Sequence, residues 1–473
     1  MSTPAASSNA APASTAPGKS ATAFLAEFAT AAPVGEASLH RAASALLDTM
    51  AAMLAGGREA AVGILAGTLE PAADGMPSFW GAGRYRADDT ALLIGMAAHV
   101  LDYDDVSMLS VCHPTAPVLS ALLPLAWRAG SPGRAVLEAL VVGTEVGIRL
   151  GQAMGFRHYA LGFHATGTLG AVGAAAACAR LLRLDRRQTA HALVIACSLS
   201  AGLRANFGSM VKSMHVGLAA ANGLKAARWA AAGITAAPEA IEGQGFLHAF
   251  SGGETTAWPA GLALGRPYAI TEPGFEQKRY PCCYMLHKMI EAALGLRAEA
   301  GIGLADVAAM RVDVAQGGTS ALIHPYPRNG LNALFSAPYA ILASLEDGRI
   351  NLASFTDAAV LRPHIQARLR EVQVIEAATP SRRGDDVGSA PVTVTLTLTN
   401  GARLSRIVTA SPGSPSDPLT PDQLGRKWRD CLERARPGLG PDQADALLQA
   451  GRAVPQADSI RPWLDALQRA VAS

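Results

Sequence analysis

The chain has 473 residues, of which 50% are hydrophobic, 5% aromatic and 16% charged, and its formal net charge is +2. That length exceeds one ordinary core and predicts two domains, and a core of alanine, leucine and glycine predicts closely packed helices. Without basic runs or interleaved aromatics, nucleic acid and anionic membrane are poor partners.

Met1–Ala21 is rich in Ala, Ser, Thr and Pro with a single Lys19. It lacks the apolar core of a signal peptide and the arginines of a transit peptide, so a disordered tail is expected. Apolar periodicity then predicts helices at Ser38–Leu54, Ala87–Leu101, Ala116–Ala129, Arg134–Met154, Gly167–Leu182, Arg187–Ser198 and Val216–Ala232. Asp88 and Asp89 stand as capping or first-turn acids of the second. Leu161–Leu182 is apolar but carries His164 and Arg180, which suits a packed interior helix better than a membrane span. No convincing alternating strand precedes residue 260 or so.

The texture changes near Tyr268. Met310–Val314 reads as a strand, and VTVTLTL at Val392–Leu398 is followed by Thr399-Asn400-Gly401 and Leu404–Thr409, a hairpin signature. Helical patterns fall at His287–Ala298, Ala340–Leu345 and Phe355–Leu361, and again at Gln423–Arg434 and Asp442–Ala450. The expected fold is mainly α with an α+β part: a helical domain over residues 22–270, a smaller α+β unit over 271–411, and helices over 412–473 that could return to the first domain and make the α+β unit an insertion. The six cysteines Cys112, Cys178, Cys197, Cys282, Cys283 and Cys431 show no CxxC spacing. A disulfide framework or structural zinc site is therefore not expected, and a reducing cytoplasm fits.

Five stretches carry candidate chemistry. In HVLDYDDVSMLSVCHP, Asp102, Asp104 and Asp105 precede His113 against apolar neighbours, the setting in which proton-transfer groups acquire shifted pKa values. The same stretch also reads as a helix end with solvated acids and a core histidine. In GFHATGTLGAVG, His164 precedes a helix whose Gly167, Gly170 and Gly173 permit close backbone approach, and no nucleotide fingerprint is present. Lys212 in RANFGSMVKSMHVG is the single lysine between Lys19 and Lys225; on an apolar segment it needs an anionic partner, or it snorkels. KRYPCCYMLHK brings Lys278, Arg279, Cys283 and His287 together, either as carboxylate-binding cations beside reactive thiols or as a surface loop over structural cysteines. FSAPY contributes Tyr339 ahead of a helix.

These pieces, in this order over roughly residues 35–415, resemble the MmgE/PrpD family of 2-methylcitrate dehydratases, cis-aconitate decarboxylases and iminodisuccinate epimerases. The resemblance implies a helical domain with an inserted α+β lid, a homodimer, and neither metal nor organic cofactor. Residue by residue it places the catalytic groups on Asp102, His113, His164, Lys212 and Tyr339, with Cys283 as a further acid, and Ser107, Arg279 and His287 at the substrate. Val106 departs from the hydroxyl residue that decarboxylases of the family carry after the acids, and Cys283 departs from their histidine. The Cys283-Tyr284 and His287-Lys288 pattern is nearer the epimerases, whereas Tyr339 matches decarboxylases and dehydratases. The expected activity is cofactor-independent acid/base chemistry beside a carboxylate of a small di- or tricarboxylic acid. A dehydratase or decarboxylase comes first, an iminodisuccinate-type epimerase is the alternative, and a non-catalytic polycarboxylate binder is the alternative from another class.

Overall fold

The computed structural model describes residues 20–81, 83–378 and 388–472. The expected tail lies outside these residues up to position 19. Ser20 then accepts from the Ala23 amide and caps a helix, Ala21–Ala31, that buries Leu25, so Ala21, expected at the end of the tail, is already helical. The helices of the first part follow as Glu36–Gly56, Ala87–Val100, Thr115–Ala129, Gly133–Ala160, Ala165–Leu181, Arg186–Ser198 and Met210–Ala231. Between the first two lie a short helix, Ala60–Ala66, and a two-residue hairpin of β1 (Met76–Pro77) and β2 (Arg84–Tyr85), too short to show alternation in sequence.

Glycine sets how closely these helices pack. A Cβ on Gly95 would lie 2.8 Å from the Cα of Gly217, and one on Gly173 would lie 2.7 Å from the carbonyl of Gly143. Because Gly95 meets Gly217 while His99 meets Lys212, the helices Ala87–Val100 and Met210–Ala231 run antiparallel. The end of one therefore delivers Asp102 to the beginning of the other.

The α+β part is built on a four-stranded sheet of order β4-β3-β5-β6, with β3 Val307–Val314, β4 Val372–Glu376, β5 Val392–Leu398 and β6 Arg403–Val408. β5 and β6 form the expected antiparallel hairpin, with Gly401 in the left-handed region at φ +85°. β4, which the sequence pattern did not suggest, pairs parallel to β3, and the connection between them contains the helix Ala337–Asp347. The expected helix at Phe355–Leu361 is instead two single turns, Leu352–Phe355 and Asp357–Val360. A buried cluster runs without a break from Val142 and Leu169 of the helices to Val312 and Val394 of the sheet. The closing helices Pro421–Ala435, Pro441–Arg452 and Arg461–Ala472 return to the amino-terminal side, where Trp428, Leu432 and Leu464 share a second cluster with Leu46, Met50 and Met53. The fold is mainly α with an α+β part.

Candidate active site

Leu101 ends the Ala87–Val100 helix, and Asp102 turns the chain with φ +50°, a conformation that Asp tolerates better than most residues. Its carboxylate is 2% exposed and faces two ammoniums, Lys212 Nζ at 2.7 Å and Lys278 Nζ at 3.2 Å. Lys278 also donates to the Asp102 carbonyl at 2.7 Å, which holds the turn. Burial pushes the Asp102 carboxyl upward, but Lys212 and Lys278 outweigh it and hold the group far below the usual carboxylate range.

Lys212 Nζ also lies 2.7 Å from His99 Nε2, while His99 Nδ1 is 2.9 Å from Asp104. An ammonium only donates and a carboxylate only accepts, so His99 is the neutral Nδ1–H tautomer. Burial is the main reason that its pKa falls to about 3. Asp104 is shared: His113 Nδ1 approaches it at 3.2 Å, and its contacts with the two imidazoles overcome burial and keep it ionised. Asp105 differs. It accepts from the amide and hydroxyl of Thr115, yet burial pushes its pKa to about 8. With Asp105 protonated and the imidazoles neutral, the two carboxylates of Asp102 and Asp104 balance the two ammoniums of Lys212 and Lys278 in charge.

His99, Asp102, Asp104 and His113 each offer one ligand atom within 4.8 Å of the others, a metal-like grouping. The place a cation would take between Asp102 and His99 is already held by the Lys212 ammonium, so these donors suit proton chemistry better than a divalent ion.

Asp102, His113, His164, Lys212 and Cys283 line one cleft, open to solvent. Its other walls are largely apolar: Val106, Met108, Phe156, Phe207, Met285 and Phe335. Lys212 lies 5.2 Å from the ring of Phe207 and 5.1 Å from that of Phe335. Burial lowers the pKa of His113 and lowers that of His164 strongly, with Lys212 adding to the second. Burial likewise pushes the Cys283 thiol to about 11, which keeps it protonated near neutral pH. The cleft thus offers an ammonium, two neutral imidazoles and a thiol around one apolar space, the equipment for taking a proton from carbon, stabilising the anion and returning a proton.

Comparison with protein families matches the MmgE/PrpD N-terminal domain over residues 23–259 and the MmgE/PrpD C-terminal domain over residues 280–450. The chain belongs to the MmgE/PrpD family. Among curated relatives, it is 27% identical to the cis-aconitate decarboxylase of Homo sapiens over 361 residues, 74% of each chain. It is also 27% identical to the cis-aconitate decarboxylase-like protein oryM of Aspergillus oryzae, over 73% of this chain and 76% of the relative. Against the cis-aconitate decarboxylase of Aspergillus terreus the identity is 27% over 67% of this chain and 70% of the relative.

The other residues that MmgE/PrpD resemblance pointed to lie away from the cleft walls. The Tyr339 hydroxyl donates to the Ser354 carbonyl, and Ser107 is buried behind Val106 and Met108, which do face the cleft. Arg279 is half exposed and pairs with Glu291 at 3.5 Å. His287 is buried against the Tyr280 carbonyl at 3.1 Å, with its pKa pushed to about 3 by burial and then by Lys278. Conversely, the structure adds Lys278 and His99 to the cluster and sets His215 Nδ1 3.1 Å from His164 Nδ1. Behind the site, buried Lys427 pairs with Asp48 at 2.7 Å and donates to the carbonyls of Tyr103 at 2.7 Å and Lys278 at 3.0 Å, tying both site segments together. The sequence signal for His215 was its spacing from Lys212, three positions along one helix face.

Proposed function

We propose that this MmgE/PrpD protein is an acid/base lyase acting beside a carboxylate of a small di- or tricarboxylic acid, of the dehydratase or decarboxylase type. The observation that carries the reading is the convergence of Lys212, His113, His164 and Cys283 on one cleft, with Asp102 and Asp104 orienting the cations and imidazoles. The decarboxylase names of the relatives support it. In this reading Lys212 holds the substrate carboxylate and disperses the negative charge that builds as a carbon–hydrogen or carbon–carbon bond breaks. His113, steadied by Asp104, takes the proton in a dehydration while His164 protonates the departing hydroxyl. In a decarboxylation the electron pair left by CO2 stays on carbon and receives a proton from His164 or Cys283. The proposal includes a helical domain of residues 22–270 and 412–473, a lid of residues 271–411 whose closure excludes water, and a homodimer.

Cys283 on the cleft wall supports a second reading, an epimerase that removes a proton from one face of a carbon and returns it from the other. Proton NMR in deuterated buffer, with citrate, 2-methylcitrate, cis-aconitate and iminodisuccinate as the panel, separates the two. New alkene or released CO2 supports the lyase, and deuterium in an otherwise intact substrate supports the epimerase. Tight binding with neither outcome shows a non-catalytic polycarboxylate binder.

A further inference from the structure

We propose that His215 sets the tautomer of His164, so that His164 presents an N–H at Nε2 to the cleft. The two Nδ1 atoms lie 3.1 Å apart, and two ring nitrogens at that distance bond when one carries the proton and the other does not. His164 is 2% exposed, lines the cleft, and its Nε2 has no hydrogen-bond partner among the described residues. Whatever proton state His215 imposes at Nδ1 is therefore mirrored at the atom that faces the substrate.

The surroundings decide which state that is. His99 stacks on His164 at 5.7 Å between ring centroids, but its two nitrogens are committed to Asp104 and Lys212, and Phe207 meets His164 edge-on at 5.1 Å. Neither competes for the His164 proton. Lys212 and His215 stand three residues apart on the Met210–Ala231 helix, so the element that brings the ammonium to Asp102 also brings His215 to His164. A carboxylate lodged beside Lys212 presents oxygens that only accept, and His164 meets them as a donor only if its Nδ1 accepts from His215. His113 lies between two carboxylates, Nδ1 3.2 Å from Asp104 and Nε2 3.7 Å from Asp102, so its contacts are with acids rather than with His164. His215 is a positioning residue, and its role rests on the reading above only in the assumption that a carboxylate occupies the cleft.

The test is a long-range proton–nitrogen correlation spectrum of the full chain labelled with nitrogen-15 histidine, near neutral pH, with and without citrate as the probe. The expected wild-type signal for His164 is a single form protonated at Nε2. His215→Phe removes the donor and gives mixed tautomers, and His215→Asn, which places an amide N–H near the lost Nδ1, restores the single form. A wild-type His164 protonated at Nδ1, or a His164 signal unchanged in His215→Phe, overturns the proposal. The spectrum needs no turnover, so it stays decisive if every panel substrate fails. With a turned-over substrate, His215→Phe lowers kcat by about 10²-fold with KM little changed, and His215→Asn recovers most of it. Equal losses in both variants overturn the positioning role. If His215→Phe does not fold, the wild-type and His215→Asn spectra still decide.

Discussion

Lys427 donates to the carbonyl of Tyr103 at 2.7 Å, although the two residues are 324 positions apart in the chain. The same ammonium reaches the Lys278 carbonyl and the Asp48 carboxylate, so a buried pair from two helices holds the segment that carries Asp102 and the segment that brings Lys278 to it. Lys427→Met leaves Asp48 buried without its counter-ion and the Tyr103 and Lys278 carbonyls without their donor. It is expected to cost about 3–5 kcal/mol, measured as a shift of the urea midpoint. The double variant Asp48→Asn, Lys427→Met removes both charges and is expected to recover at least half of that loss. A single variant as stable as the wild type shows that the clamp contributes nothing.

Asp105 gives the fold an unusual alkaline sensitivity. Its folded pKa of about 8 stands above the ordinary 3.8 because burial disfavours the charge. Between those values the folded state holds a proton that the unfolded chain has released. The stability contribution is full below the unfolded pKa and is lost as pH rises through the folded one, at about 1.4 kcal/mol per pH unit. The imidazoles of His99, His113, His158, His164, His215 and His287, all lowered by burial from 6.5, act in the opposite sense, and their slope fades only about one pH unit above 6.5. In thermal melts from pH 6.5 to 8 the wild type is therefore expected to lose stability relative to Asp105→Asn, a difference in which the histidines cancel. Parallel profiles show that Asp105 is ionised in the folded protein.

The acids at Asp102 and Asp104, and His113, His164 and Lys212, were legible because each sits in a stretch whose residue types conflict with its apolar surroundings, and a conflict of that kind needs a partner. What the sequence could not show is which of two neighbours turns inward. On adjacent residues of non-helical chain, side chains tend to point to opposite sides. Lys278 thus goes to Asp102 while Arg279 goes to Glu291, and Val106 and Met108 face the cleft while Ser107 is buried behind it. His99 follows the apolar run Ala91–Ala98 of its helix and reads as a core residue. Lys427 was invisible for another reason: two of its partners are backbone carbonyls, which carry no sequence signal, and the third, Asp48, lies on a helix near the other end of the chain. Most of the longer helices were legible from their periodicity, whereas Ala21–Ala31 and Arg461–Ala472 were not, nor was β4, whose burial pattern has one buried residue followed by four exposed or half-exposed ones.

Cys283 is expected to be a slow nucleophile. Burial pushes its thiol from 9.0 to about 11, and a two-unit rise leaves about 10²-fold less thiolate near pH 8. Iodoacetamide labelling, located by peptide mass mapping, is expected to run at least about 10²-fold slower at Cys283 than at free cysteine. It is expected to quicken about tenfold per pH unit up to pH 10 and to slow further when citrate fills the cleft. Fast labelling at pH 7 shows a thiolate, and a thiolate cannot supply the proton that the site needs.

Lys212→Ala separates the chemistry from the fold. The variant loses the ammonium that bridges Asp102 and His99, but Lys278 remains 3.2 Å from the Asp102 carboxylate and continues to bind its carbonyl, so the buried charge keeps a partner and the turn keeps its hold. Near-ultraviolet circular dichroism is expected to be unchanged. Turnover of any substrate accepted by the wild type is expected to fall by at least about 10²-fold, the usual loss when a donor to a developing anion is removed. Lys212→Arg is expected to rescue little, because a planar guanidinium does not reproduce one point charge between a carboxylate and an imidazole nitrogen, each 2.7 Å away. Reaction rates within tenfold of the wild type in a folded Lys212→Ala protein would remove Lys212 from the chemistry and leave it as a structural counter-ion to Asp102.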